Sequence, residues 1–368
     1  MISPIEMRHK IHQFPELALQ EFETTKLLTK AIRQAADIND CDIIIHQPLK
    51  TGLLIEYKQN SGSYTMLRAD IDALPVIEQT GWKYASKNQN MHACGHDVHT
   101  AILYGFLLEV MADKPQQNFL FLFQPAEETV GGAEMLLATG ILDKFDINQV
   151  FALHVNDDFE KGTIATNDSV LFASSYELNI EFQGNSAHVA FPQNGRNALH
   201  ALRTFMDQVE KIPQDYIHPI IYGIGRVEAG KIRNIIPDFA KLEGTIRSFQ
   251  LTRTKEYIAK LELILQGIES ATGVEYQLKH GINHNEVVNT PELYKLAKDR
   301  LYGEFNFLKC EIKMAGEDFG HFADKYPSLM MWQGTRTGDF YGLHHPKFLP
   351  DDSIIQDGIN VYKRLTED

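Results

Sequence analysis

The stretch Phe119-Leu-Phe-Leu-Phe-Gln-Pro-Ala-Glu-Glu128 constrains the fold of this chain more than any other. Five consecutive apolar residues bounded by Gln-Pro read as a short buried strand. That strand runs straight into two adjacent carboxylates, Glu127 and Glu128. Similar apolar runs at Gly52–Tyr57, Tyr64–Arg68 and Gln149–Val155 alternate with helical patterns at Phe22–Ala36, His99–Val110 and Ala133–Ala138. Strands separated by helices predict βαβ units and a mixed or parallel sheet, an α/β fold. The start is a helix signal: Ser3 caps, Pro4 takes the first helical position and Glu6 completes a capping box.

Near residue 175 the character changes. Strand Ser175–Phe182, helix Ala198–Ile212, strands Ile220–Val227 and Ala240–Phe249, helix Thr252–Ala271 and strand Val274–Lys279 form one βαββαβ unit, the pattern of an open-faced, ferredoxin-like sandwich. Helix Pro291–Leu301, strand Ser328–Trp332 and a closing helix from Ser353 to Leu365 follow. The expected organisation is a discontinuous α/β domain, residues 1–174 and 282–368, interrupted by a smaller domain at 175–281. A length of 368 residues accommodates two such domains.

Composition narrows the function. With 35 Lys+Arg against 49 Asp+Glu, the net charge of −14 argues against a nucleic-acid partner, which needs a basic face. No apolar run approaches the roughly 18 residues of a membrane span, and the N-terminus lacks the pattern of a signal peptide. Cys41, Cys94 and Cys310 are odd in number and far apart, which fits a reducing cytoplasm.

Five segments carry candidate chemistry. In Arg68-Ala-Asp-Ile-Asp-Ala-Leu-Pro75, Asp70 and Asp72 follow a strand, where α/β sheets bind ligands. In His92-Ala-Cys-Gly-His-Asp-Val-His99, three histidines, a cysteine and an aspartate crowd eight residues, and Gly95 allows Cys94 and His96 to share one metal. Glu127 and Glu128 diverge at a strand end, so one can bind metal while the other reaches a metal-bound water. His154 closes the strand Phe151-Ala-Leu-His-Val, and Tyr341-Gly-Leu-His344-His-Pro346 lies far along the chain. Singly, the acids fit solvated turns or a helix start, and His154 and His344 fit structural roles. Together they are explained by one hydrolytic metal centre. A thiol hydrolase using Cys94, or a non-catalytic binding module, explains fewer of them, since the module has no use for Glu127.

These motifs resemble the aminoacylase and hippurate-hydrolase family of dinuclear metallo-amidohydrolases along essentially the whole chain. The resemblance implies a metallopeptidase-like mixed-sheet catalytic domain with an inserted lid and dimerisation domain. By matching position it implies Cys94, His96, Glu128, His154 and His344 as metal ligands, and Glu127 as general base. Asp70 and Asp72 match an acidic pair of which one orients a ligand or the base; relatives in the wider clan carry His-x-Asp there, so Asp70 is kept in the active site without a metal bond. His345 is a neighbour of the site. In the inserted domain, Gly184-Asn-Ser-Ala-His188-Val-Ala-Phe-Pro192 resembles the segment whose histidine contacts the scissile carbonyl, often from a partner subunit. Asn234 and Arg247 sit where the family meets substrate, although by sequence alone they fit a turn residue and a surface charge equally well, and Gly316-Glu-Asp-Phe319 lies near the site in relatives. Two divalent ions (Zn, Mn, Co or Ni), a small N-acyl amino acid substrate and a homodimer follow from the same resemblance. Segments 91–97, Leu171-Phe-Ala173 and Tyr341-Gly-Leu-His-His345 point within the family to hydrolysis of N-acetyl-diaminopimelate to acetate and diaminopimelate, with general N-acyl-amino-acid or hippurate hydrolysis as the alternative.

Overall fold

The computed structural model describes residues 1–367. In chain order it runs α1 (Pro4–Gln13), α2 (Phe22–Asn39), β1 (Ile44–His46), β2 (Leu53–Tyr57), β3 (Tyr64–Asp70), α3 (His96–Asp113), β4 (Asn118–Gln124) and α4 (Gly132–Ala138). Next come β5 (Ile147–Glu160), β6 (Thr163–Thr166), β7 (Val170–Phe172), β8 (Ser174–Gln183), α5 (Ala198–Val209), β9 (Ile220–Ala229) and β10 (Phe239–Ser248). The chain closes with α6 (Leu251–Thr272), β11 (Glu275–His284), β12 (Val287–Val288), α7 (Pro291–Leu301), β13 (Asn306–Lys309), α8 (Gly320–Ala323), β14 (Ser328–Arg336) and α9 (Ile354–Thr366). The elements group into two compact units. The first holds Met1–Leu171, Val287–Ile312 and the chain from Asp318 onward; the second holds Phe172–Glu286 and Lys313–Glu317.

The first unit is built on a mixed sheet of order β1-β2-β4-β3-β5-β14-β6-β13. β4, β3, β5 and β14 are mutually parallel, and β1, β2 and β6 add antiparallel pairings. Every residue of β4 is buried, as a strand covered on both faces requires, and each of its phenylalanines contributes roughly 1.5–3 kcal/mol by leaving water. Helix α3 is apolar almost all round and buried along most of its length, packed between α1, α9 and the sheet. Because the four parallel strands point the same way, their carboxyl ends emerge on one side of the sheet. The acids and histidines of the sequence motifs gather there.

Helix α1 starts as its sequence predicts. Glu6 N–H donates to Ser3 Oγ at 3.2 Å, and Ser3 N–H donates to Glu6 Oε2 at 2.9 Å. Its inner face carries a fully buried Arg8, whose Nε donates to Asp97 Oδ2 at 3.0 Å. His12 Nδ1 lies 2.9 Å from the same oxygen. This network ties α1 to the first turn of α3.

Among the boundaries that differ from the sequence reading, two near the site have a local reason. Helix α3 begins at His96, because Gly95 takes φ +87° and turns the chain three residues earlier than the apolar pattern does. Strand β5 continues past His154 to Glu160, so His154 stands within a strand. The extension forms when Gly162, at φ +83°, folds the chain back into β6.

The second unit is an antiparallel sheet of order β11-β8-β10-β9 with α5 and α6 on one face. Along β8, Leu178, Ile180 and Phe182 alternate inward and meet Leu202 and Phe205 of α5 and Leu261 and Leu265 of α6. Lys313–Glu317 joins this unit: Ala173 N–H donates to Lys313 O at 2.9 Å, and Gly316 leaves no room for a Cβ, which would lie 2.5 Å from Arg247 Nη1.

Candidate metal centre

The centre is assembled by one turn and four chain segments of the first unit. A side chain at Gly95 would sit 2.3 Å from Val155 Cγ2, so the positive-φ turn against β5 accepts only glycine. The turn leaves Cys94 and His96 buried on either side of it. β3 brings Asp70 and the following Asp72, the loop after β4 brings Glu127 and Glu128, and β5 brings His154. His344 arrives on the loop before α9 with φ +66°, its N–H donated to Ala93 O at 2.8 Å.

The side chains are held so that donor atoms converge. His96 Nδ1 lies 3.0 Å from Asp72 O and 3.2 Å from Asp72 Oδ1, which turns Nε2 toward Glu128 Oε1 at 3.7 Å. Asp72 Oδ2 accepts the Glu128 N–H at 3.0 Å, so one carboxylate fixes both residues. His154 Nδ1 is 2.8 Å from Val155 O, leaving Nε2 at 3.5 Å from Cys94 Sγ. His344 Nε2 lies 3.3 Å from that sulfur and 3.5 Å from Glu128 Oε1. Asp70 is occupied differently: Oδ1 takes His99 Nδ1 at 2.6 Å and Oδ2 takes Arg68 Nη1 at 2.8 Å. His99 Nε2 accepts the Val155 N–H at 2.8 Å, so its proton resides on Nδ1. Arg68 also donates to Asp318 Oδ1 at 2.7 Å and to Gln124 Oε1 at 2.8 Å, a buried brace behind the centre.

Protonation in the metal-free chain is adversely arranged. Burial, with Glu128, Glu127 and Asp70 nearby, pushes the Cys94 thiol well above its ordinary range. Burial raises Glu128 to about 7 although His96 opposes it. Burial would lower His96, but Asp70, Asp72 and Glu128 raise it to about 10. Burial and His99 hold His154 well below its usual value. A cation bound here would displace the protons of Cys94 and His96, so metal affinity should rise with pH.

The donor set fits such cations. The buried atoms His96 Nε2 and Glu128 Oε1 have no hydrogen-bond partner, an expensive arrangement unless something else satisfies them. Two triads, Cys94/His96/His154 and Cys94/Glu128/His344, each keep their donor atoms within 4.8 Å of one another and share the Cys94 sulfur. Tetrahedral ligands at about 2.0–2.3 Å from an ion stand about 3.3–3.8 Å apart, and the 3.3 and 3.5 Å separations within the two triads fall in that range. Glu127 is buried and has its carboxylate within 4.8 Å of the donor atoms of His96 and Glu128.

The structure thus brings together Asp70, Asp72, Cys94, His96, Glu127, Glu128, His154 and His344. His188, Asn234 and Arg247 belong to the second unit. There His188 and Asn234 are exposed neighbours, joined by Val189 N–H donating to Asn234 O at 3.1 Å. Arg247 is half-buried at the opposite end of β10, against Gly316. Motif reading left His99, Arg68, Gln124 and Asp318 without roles. An arginine within an apolar strand was the one available signal, since a buried guanidinium demands carboxylate partners.

Known proteins resemble this chain over nearly its whole length. Residues 66–368 match the model of peptidase family M20/M25/M40. A curated relative from Geobacillus sp. strain WCH70, named N-acetyldiaminopimelate deacetylase, is 35% identical over 98% of this chain and 96% of its own. One of the same name from Streptococcus uberis is 35% identical over 100% and 99%. The Bacillus subtilis YXEP crystal structure, described as a dinuclear metal binding peptidase from the M20 family, superposes with a TM-score of 0.83 at 30% identity, covering 98% of this chain and 96% of that one. With the motifs, the mixed sheet and the convergent donors in the matched region, the chain belongs to peptidase family M20/M25/M40.

Proposed function

We propose that this chain is a metal-dependent amidohydrolase that cleaves N-acetyl-diaminopimelate with water to acetate and diaminopimelate, a step of diaminopimelate and lysine biosynthesis in the cytoplasm. The observation that carries the reaction class is the pair of donor triads sharing Cys94, with Glu127 beside them. The substrate rests on the full-length similarity to curated relatives of that name.

Cys94, His96 and His154 would hold one divalent cation, and Cys94, Glu128 and His344 a second; Zn, Mn, Co and Ni all suit sulfur, imidazole and carboxylate donors. Such cations lower the pKa of water and polarise an amide carbonyl, which a neutral acetamide needs. Glu127 accepts the proton of the attacking water and delivers it to the departing nitrogen. Asp72 keeps His96 Nε2 and the Glu128 backbone in register, and Asp70 keeps His99 in its Nδ1–H tautomer against β5. His188 donates to the carbonyl oxygen as charge develops there, Asn234 contributes beside it, and Arg247 takes a substrate carboxylate in a bidentate pair.

The second unit favours a homodimer. β9 is a ten-residue edge strand with Ile221 and Val227 exposed, a surface that invites strand pairing. Arg247 stands eight positions along β10 from Phe239, about 26 Å at strand rise, and the His188–Asn234 pair follows the Phe239 end of the sheet. On this reading two copies of the second unit supply one group each to a small substrate. A substrate panel with added metals tests the reading. N-acetyl-diaminopimelate should show a much higher kcat/KM than hippurate, and Arg247→Ala should erode that preference more than it slows a small N-acetyl amino acid. Preference for benzoyl or long acyl groups would move the chain to general N-acyl-amino-acid hydrolysis.

A further inference from the structure

Asp157 is three residues beyond His154 on β5 and 5% exposed. Its Oδ2 accepts two backbone N–H groups of the His344 loop, from Tyr341 and from Gly342, each at 2.9 Å. The loop needs such fixing. Gly342 takes φ +82°, and His344 takes φ +66°, a conformation costing a residue with a side chain on the order of 1–3 kcal/mol. Behind it lies a cavity of about 410 Å³, lined in part by Asp157, Thr337, Tyr341 and Lys347, so the loop is not packed on that side. Two restraints bracket the histidine: the Asp157 clamp before it, and its own N–H donated to Ala93 O at 2.8 Å.

We infer that Asp157 is a positioning residue that holds His344 against Cys94 and Glu128, and so governs one of the two cation sites and not the other. The inference rests on the two-ion reading above. The clamp acts on the triad containing His344; the triad of Cys94, His96 and His154 has its own supports in Asp72 and Val155. Removing the carboxylate therefore lets the loop relax out of its strained turn and withdraws one ligand, whereas general damage to the fold disturbs both triads.

Zn²⁺ titrated into the metal-free full chain against a competing chelator reads this directly. The unaltered chain should take up two ions. Asp157→Ala should bind one of them roughly 10–100-fold more weakly, as loss of a ligand-orienting partner does, and keep native affinity for the other. Asp157→Asn, whose amide oxygen can accept the same two N–H groups, should retain most of the affinity. In a His344→Ala background, Asp157→Ala should add nothing, since the two act through one site. Should Asp157→Ala fail to fold, Gly342→Ala strains the same turn and should weaken the same ion. Two ions of native affinity in Asp157→Ala, equal weakening of both, or full additivity with His344→Ala would overturn the inference. Failure of the unaltered chain to bind two ions would instead overturn the two-ion reading.

Discussion

Asp72 Oδ1 lies 3.2 Å from His96 Nδ1, and both residues are buried. Asp72 selects the tautomer: with its backbone carbonyl and carboxylate as acceptors, the proton stays on Nδ1 and the lone pair of Nε2 faces Cys94 and Glu128. Asp72→Asn keeps the backbone carbonyl that accepts from Nδ1, and so the tautomer, but removes the negative charge beside His96 and the anionic acceptor of the Glu128 N–H. Metal affinity measured by chelator competition should fall roughly 10–100-fold with little change in the melting curve of the metal-free chain.

The two adjacent glutamates should separate in a metal assay. Glu127→Gln should keep both ions and lower kcat by roughly 10²–10⁴-fold, the usual contribution of a general base. Glu128→Gln should lose an ion first and activity as a consequence. The opposite pattern by elemental analysis would exchange the two roles.

Chelation should abolish hydrolysis and an added divalent cation should restore it, since His96 Nε2 and Glu128 Oε1 are buried without a hydrogen-bond partner beside Cys94. Full turnover in a verified metal-free sample would revive the thiol mechanism through Cys94.

The proposed homodimer, with His188 acting in trans, predicts complementation between subunits. His188→Ala should lower turnover without metal loss. Mixing it with Glu127→Gln under conditions of subunit exchange should recover part of the activity, because one mixed active site then carries both native residues. No recovery in demonstrated heterodimers would place the action of His188 within its own subunit or remove it.

Stability should fall in mild alkali through His12. Burial alone would lower its pKa, but Asp97 and Glu78 raise it to about 9, above the roughly 6.5 of an unfolded histidine. The contribution is complete below about pH 6.5 and is lost as pH rises toward 9, because the folded chain binds the proton more tightly. Urea denaturation of the metal-free protein should show a decline on the order of a few kcal/mol across that interval, and His12→Gln should flatten it. An unchanged slope in the variant would assign the decline to another group.

Much of this protein was legible in its sequence because the relevant physics is local. A five-residue apolar run is a buried strand, Ser3 and Glu6 cap a helix, Leu178, Ile180 and Phe182 alternate on a half-covered strand, and the acid pairs Asp70/Asp72 and Glu127/Glu128 stand at or just past strand ends. Such signals depend on neighbours within a few residues, which the linear order preserves. Tertiary structure alone decided which partner each buried polar group received. Arg68 meets Asp318 across 250 positions and His12 meets Asp97 across 85. The two acids of one short motif also part company, Asp70 bound by Arg68 and His99, Asp72 by His96 and the Glu128 backbone. Nor does the residue string reveal that Cys94 joins two triads, or that Asp157 clamps the His344 loop. Any carboxylate can pair with any of several cations or N–H groups in an unfolded chain. The choice is made when sheet order and register bring a few within 3 Å and burial makes an unpaired partner expensive.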